Sequence, residues 1–214
     1  MSSHHFVKEG QEPALLCLDP DALSYEQLGG LLAWVPLLMA DIRCLDTLLD
    51  WQVKVDVLLC AEEQREDVLP KLTAQAPVSI LTYQREEEAL ATGLYYLQAK
   101  RHEALSVAVA PARLDAVWLQ AVSMMSADFP VTVYSRQEKG FPCGHSLDKW
   151  LAAETCVRLM STLYDMEVKA SGFGEDAYKL KAGEWLELQK TADGRVHLSV
   201  PEEGLWYFEE VFAP

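Results

Sequence analysis

The 214-residue chain contains no asparagine. It is also short of cations: 18 Lys and Arg stand against 33 Asp and Glu, a formal net charge of −15. Such a balance repels a phosphate backbone, because non-specific nucleic-acid affinity comes from clustered Lys and Arg that release counterions. Nucleic acid is therefore not expected as a partner, and the acidity reads as a solvated surface. Long apolar runs are missing as well. The longest stretch, Leu28 to Ala40, is interrupted by Gly29, Gly30 and Pro36, and it falls well below the roughly 20 residues that a membrane span needs. Met1 to Gly10 carry no apolar signal-peptide core, so the expected compartment is the cytoplasm, with no membrane attachment. Cysteines are few and scattered. Cys17, Cys44, Cys60, Cys143 and Cys156 are odd in number and never form a close pair, which argues against a disulfide framework or a zinc site. No glycine-rich phosphate loop is present. The histidines show no spacing with Ser or Cys that suggests a nucleophile relay.

What is present is rhythm. From Ala14 to Ser135 short apolar runs alternate with stretches of helical period. Strands are expected at Ala14 to Leu18, Pro36 to Ala40, Val55 to Cys60, Val78 to Leu81, Leu105 to Ala110 and Val131 to Tyr134. Several are continuously apolar, as strands covered on both faces should be. Helices are expected at Ser24 to Trp34, Cys44 to Trp51, Glu86 to Lys100 and Leu114 to Ser126. Ser24 followed by Gln27 makes a capping box, and Glu86, Glu87 and Glu88 suit the positive end of a helix dipole. The economical architecture is a mostly parallel sheet with flanking helices, an α/β domain over residues 1–136.

After Tyr134 the character changes. Gln137 to Ser146 is polar and holds Gly140, Pro142 and Gly144, which reads as a linker. Over residues 147–214 the runs Cys156 to Met160, Asp165 to Ala170, Glu184 to Gln189, Val196 to Val200 and Leu205 to Phe212 are closed by turn residues such as Asp193-Gly194 and Glu203-Gly204. That spacing predicts a small antiparallel β-sandwich. Lys149 to Met160 could instead open with a helix, and periodicity does not separate the alternatives.

Several segments, in order along the chain, resemble the thiamine pyrophosphokinase family. Ala40-Asp41, followed by the strand Val55-Asp56-Val57-Leu58-Leu59, is similar to the family's Ala-Asp-Gly-x-x-Asn segment and the Pro-Asp-x-x-x-Gly-Asp-x-Asp-Ser segment after it. Arg85-Glu86-Glu87-Glu88-Ala89 is similar to the Lys-Asp-x-Thr-Asp helix start. Val107 to Ala110, leading into Ala112-Arg113-Leu114-Asp115-Ala116, looks like the strand and Gly-Gly-Arg-x-Asp-His turn. Val168 to Phe173 resembles the segment before Gly-Leu-Lys-Tyr-Pro-Leu, with Glu203-Gly204-Leu205-Trp206 near the final strand.

The resemblance implies transfer of a diphosphate from ATP to thiamine, giving thiamine diphosphate and AMP, by a homodimer that uses magnesium. It assigns Asp41, Glu63, Glu86 and Asp115 to the metal, Asp41 and Arg113 to the nucleotide, and Asp115 and Arg113 to catalysis. Diphosphoryl transfer relies on positioning and charge neutralisation, and magnesium asks for hard oxygen ligands. Trp185 offers an aromatic face on which a ring such as thiamine's could stack. Departures from the pattern fall in the same places. Gly-Asp-x-Asp-Ser reads Cys60-Ala61-Glu62-Glu63-Gln64, the last acid of Lys-Asp-x-Thr-Asp is Ala89, Pro111-Ala112 replaces the glycine pair, and Ala116 replaces the His. The family's asparagines have no counterpart, although Gln120 can stand in for one. Two functional expectations follow: a divergent thiamine pyrophosphokinase whose activity is weak or lost, or a catalytically silent homodimer that binds a small-molecule ligand or plays a regulatory part.

Overall fold

The computed structural model describes residues 13–34, 36–124, 129–202 and 204–210. Two compact units divide the chain after Arg136. In the first, six parallel strands take the order β6-β5-β1-β2-β3-β4. They are β1 (Ala14–Cys17), β2 (Leu38–Asp41), β3 (Val57–Ala61), β4 (Ser79–Tyr83), β5 (Leu105–Ala108) and β6 (Val131–Tyr134). Each expected strand is present, shifted by no more than a residue or two. β1, β2 and β5 are buried at every position, which is why they read as unbroken apolar runs rather than alternating ones.

Among the described residues five helices flank this sheet: α1 (Tyr25–Leu32), α2 (Ile42–Asp50), α3 (Arg65–Leu72), α4 (Ala89–Ala99) and α5 (Leu114–Met124). The Ser24–Gln27 capping box is formed, with the Ser24 amide donating to Gln27 Oε1 at 2.9 Å and the Gln27 amide to Ser24 Oγ at 3.2 Å. Glu86 to Glu88 form a 3-10 turn leading into α4. Gly93 in α4 lets the helix close on the sheet, since a Cβ there would stand 3.1 Å from Leu16 Cδ2. The expected helix to Ser126 is described as far as Met124; Met125 and Ser126 lie outside the described residues. Helix α3 was not expected. Only Val68 and Leu72 of it are buried, and Pro70 lies inside it, so its apolar stripe is too sparse to register as a period.

The second unit holds two antiparallel four-stranded sheets, β12-β9-β14-β7 and β11-β10-β13-β8. One comprises β7 (Glu138–Pro142), β9 (Cys156–Ser161), β12 (Trp185–Gln189) and β14 (Leu205–Glu210). The other comprises β8 (Ser146–Leu151), β10 (Met166–Ser171), β11 (Ala177–Leu180) and β13 (Gly194–Ser199). Val157, Leu159, Leu205 and Tyr207 of the first share a core with Val168, Ala170, Val196 and Leu198 of the second. This is the expected sandwich. Phe212 and Glu203 lie outside the described residues. Two expectations are corrected. The stretch read as a linker, Gln137 to Ser146, contains β7, which pairs along its length with β14. The alternative helix from Lys149 is strand instead, the end of β8 followed by β9. No helix among the described residues is long and apolar enough to cross a membrane.

Candidate functional site at the carboxyl end of the parallel sheet

Strand order places the chain segments that follow β1, β2, β4 and β5 at one edge, the carboxyl end of the sheet, where ligands of open α/β folds bind. Asp41 closes β2 and caps α2 at once, its Oδ1 accepting from the Arg43 amide at 3.0 Å. A short acceptor on a β-region residue is what an N-cap requires. It also brings Arg43 onto the first turn of α2, beside the neighbouring strand ends.

Arg43 organises the site. Its Nε donates to Asp41 Oδ1 at 2.7 Å, and its Nη1 reaches Asp19 Oδ1 at 3.1 Å and also bonds Glu86 Oε1. Arg113 adds a second guanidinium, with Nη1 2.6 Å from Asp19 Oδ1 and 3.6 Å from Glu86 Oε1. The remaining carboxylate oxygens are taken too. Asp19 Oδ2 accepts from the Ala110 amide at 2.9 Å, and Asp41 Oδ2 accepts from the Tyr83 hydroxyl at 3.0 Å. Asp41 is fully buried and Asp19 nearly so, which is tolerable because each is paired and hydrogen-bonded.

Burial works to lower the Arg43 guanidinium, but the hydrogen bond and charge of Asp41, with the charges of Asp19 and Glu86, outweigh it and hold the group above its ordinary value. Tyr83 is pushed well up by burial and by Asp41 as charge and hydrogen-bond partner, so it stays a neutral donor. Cys17 and Cys44 lie behind the carboxylates, Cys44 Sγ donating to the Cys17 carbonyl at 3.3 Å. Burial raises Cys17 to about 12 and Cys44 well above its usual range, which leaves them poor nucleophiles. The adjoining cavity, lined by Cys17, Asp19, Cys44 and Trp51 among others, measures about 20 Å³, room for a single water.

Of the residues expected from sequence, the structure brings together Asp41, Glu86 and Arg113, linked through Asp19 and Arg43. Glu63 is exposed on the 3-10 turn after β3, and no hydrogen bond or ion pair among the described residues ties it to the cluster. Asp115 is exposed on the first turn of α5. Trp185 belongs to the second unit, where Arg158 Cζ lies 4.3 Å from its ring centroid and Phe208 meets it edge-on at 5.2 Å. The Arg158 guanidinium, held by Glu138 at 2.6 and 2.7 Å, thus already covers one Trp185 face. Gln120 donates to the Glu87 carbonyl at 2.8 Å. Asp19, Arg43 and Tyr83 were missed. Asp19 follows β1 much as Asp41 ends β2, and that recurrence of an acid at a strand end was the available signal.

A magnesium ion does not fit this arrangement. Mg²⁺ needs oxygen donors at about 2.0–2.1 Å in octahedral array, whereas both oxygens of Asp19 and of Asp41 are already receiving N–H or O–H bonds. Among the described residues no three His, Cys, Asp or Glu side chains gather as metal donors.

The sequence matches no protein-family model and no curated protein. Solved structures do match. Thiamine pyrophosphokinase from Bacillus subtilis superposes with a TM-score of 0.71 at 12% identity, over 94% of this chain and 99% of that one. The fold is that of the thiamine pyrophosphokinases. The Geobacillus thermodenitrificans thiamin pyrophosphokinase gives 0.66 at 13% identity, covering 94% and 97% of the two chains. Yeast thiamin pyrophosphokinase gives 0.63 at 8% identity over 97% and 88%. The thiamine pyrophosphokinase fold therefore extends over both units, as the ordered motif resemblance implied.

Tyr83 provides a direct check on the site. Tyr83→Phe removes one hydroxyl and leaves Asp41 Oδ2 without its donor in a buried position. The expected cost is about 1–3 kcal/mol, read as a lower urea midpoint at unchanged slope. A midpoint equal to that of the natural chain would contradict the geometry.

Proposed function

We propose that this chain is a divergent thiamine pyrophosphokinase-like protein in which diphosphate transfer from ATP to thiamine is weak or lost, and that it works in the cytoplasm as a homodimer that binds a small-molecule ligand or regulates a partner. The fold supports the placement, and motif order along the whole chain supports it independently. One observation carries the loss of catalysis: the Arg43 guanidinium bonds Asp19, Asp41 and Glu86 together, so the acids that would seat the nucleotide's magnesium are committed to an internal cation. Phosphoryl-transfer enzymes depend on such metal seating for charge neutralisation. The replacements at Ala61, Ala89 and Ala116 and the lack of asparagine point the same way. Losing one donor that stabilises a transition state typically costs about 10²–10³ in turnover, and several losses need not multiply. The free thiols of all five cysteines support a reducing compartment.

Purified protein incubated at micromolar concentration with ATP, magnesium and thiamine is expected to form AMP at most slowly above a no-enzyme control. The second reading, a working enzyme using Asp41, Glu63, Glu86, Asp115 and Arg113, is favoured by the linkage of Asp41, Glu86 and Arg113 through Arg43 and Asp19. AMP formation at an ordinary kinase turnover of about 1–100 per second that disappears in Asp115→Ala would establish it and overturn the proposal.

A further inference from the structure

We infer that this chain carries a small-molecule site separate from the carboxylate cluster, on the face of the parallel sheet beside α1, and that it takes a neutral, planar aromatic ligand of one or two fused rings with a single hydrogen-bonding group. A cavity of about 330 Å³ opens there, lined by Leu15, Leu31, Trp34, Pro36, Ser106 and Tyr134 among others. Leu15 and Ser106 are register partners on β1 and β5. Ser106 is in turn the partner of Thr132 on β6, so Tyr134, two residues further on, faces the same side of the sheet. The cavity shares no residue with the cluster of Asp19, Asp41, Glu86, Arg43 and Arg113. The inference therefore goes beyond the catalytic reading and holds whether or not diphosphate transfer survives.

Ser106 points to a ligand. It is only 9% exposed, and the other positions of its strand, Leu105, Val107 and Ala108, are apolar. Among the described residues its hydroxyl has no hydrogen-bond partner. A hydroxyl withdrawn from water without a partner is unfavourable, and an apolar side chain at the same position would avoid that cost. A ligand group in the cavity would meet the need, since a hydroxyl can both donate and accept. No lining residue is charged, in a chain where 24% of residues are, so an ion would enter with nothing to balance it and a neutral ligand is favoured. Trp34, just past the end of α1, is 70% exposed, and with Tyr134 it gives the cavity two aromatic rings suited to a flat partner. Apolar and aromatic side chains around one convergent polar group are the usual make-up of a small-molecule site, for which roughly 300–1,000 Å³ is typical.

Equilibrium dialysis of the natural chain, Ser106→Ala and Trp34→Ala against 2-naphthol and against naphthalene, which lacks the hydroxyl, tests this with ATP, magnesium and thiamine left out. The natural chain is expected to bind one 2-naphthol per chain, saturably, with a dissociation constant on the order of 10⁻⁴ M. Ser106→Ala should weaken 2-naphthol by about 10-fold, the worth of one hydrogen bond, and leave naphthalene within about twofold. Trp34→Ala should weaken both probes alike, by about 3- to 10-fold, through loss of an aromatic contact. Both substitutions shorten a side chain without burying anything new, and thermal unfolding without probe verifies that each variant is folded. No saturable 2-naphthol binding by the natural chain overturns the inference, as does binding that both variants leave unchanged. Equal loss of the two probes in Ser106→Ala overturns it too, because the hydroxyl would then not be what meets the ligand. A chain that forms AMP at an ordinary rate and still binds 2-naphthol through Ser106 keeps this inference and loses the proposed function; one that does neither loses this inference alone.

Discussion

Asp41→Ala is expected to cost about 3–5 kcal/mol of stability, the range seen when one partner of a buried ion pair is removed and the other is left charged. Asp41 has no exposed surface, and its truncation strips an acceptor from Arg43 Nε, from the Arg43 amide and from the Tyr83 hydroxyl. Loss of the α2 N-cap contributes about 0.5–2 kcal/mol of this. Relief of repulsion from Asp19 and Glu86 works in the opposite direction, but it is the smaller effect because both acids remain paired with Arg43 and Arg113. Asp41→Asn keeps one acceptor oxygen and should lose less. Glu63→Ala, at an exposed position, should stay within about 0.5 kcal/mol of the natural chain. Urea unfolding followed by far-ultraviolet circular dichroism ranks the three, and an Asp41→Ala midpoint as high as that of Glu63→Ala would remove Asp41 from the centre of the network.

Gly140→Ala should be comparably damaging, for a steric reason. A Cβ on Gly140 would stand 2.1 Å from Phe208 Cε1 and 2.4 Å from its Cδ1, far inside van der Waals contact. Gly140 and Phe208 are register partners on β7 and β14, and Phe208 is fully buried. Its ring has little room to retreat, with Trp185 edge-on at 5.2 Å and Trp206 stacked at 6.2 Å. Overpacking of a filled core costs about 1–3 kcal/mol, and the upper end is expected here. Thermal unfolding measures it. Adding Phe208→Leu to Gly140→Ala makes space for the new methyl, so the double variant should lose less than the sum of the single ones. Strict additivity would show that the ring is not what excludes the Cβ.

Gly140 also explains the main error in reading the sequence. Gly140, Pro142 and Gly144 in close succession carry the signature of a loop, yet β7 runs through the first two. The glycine serves a ring that arrives from a strand 68 residues further along (Phe208 against Gly140), and no local pattern records that. Helix α3 was missed for a related reason, since Val68 and Leu72 alone face the core. Ser24, by contrast, was legible because a capping box is satisfied within three residues of sequence. At the site, Asp41, Glu86 and Arg113 came from motif resemblance, and Arg43 and Asp19 link them. Asp19 and Arg43 did not, because an aspartate after one strand and an arginine at the start of one helix carry no mark of meeting.

The sequence by itself determined the six parallel strands, through apolar runs that only a sheet covered on both faces can bury, and it determined the sandwich through short runs closed by turns. It also determined that the phosphate-binding glycines and every asparagine are absent. Tertiary structure alone decided what the surviving acids hold. Strand order brings Asp19, Asp41 and Glu86 to one end of the sheet, and carboxylates withdrawn from water there need positive charge, which in this chain comes from the guanidinium groups of Arg43 and Arg113.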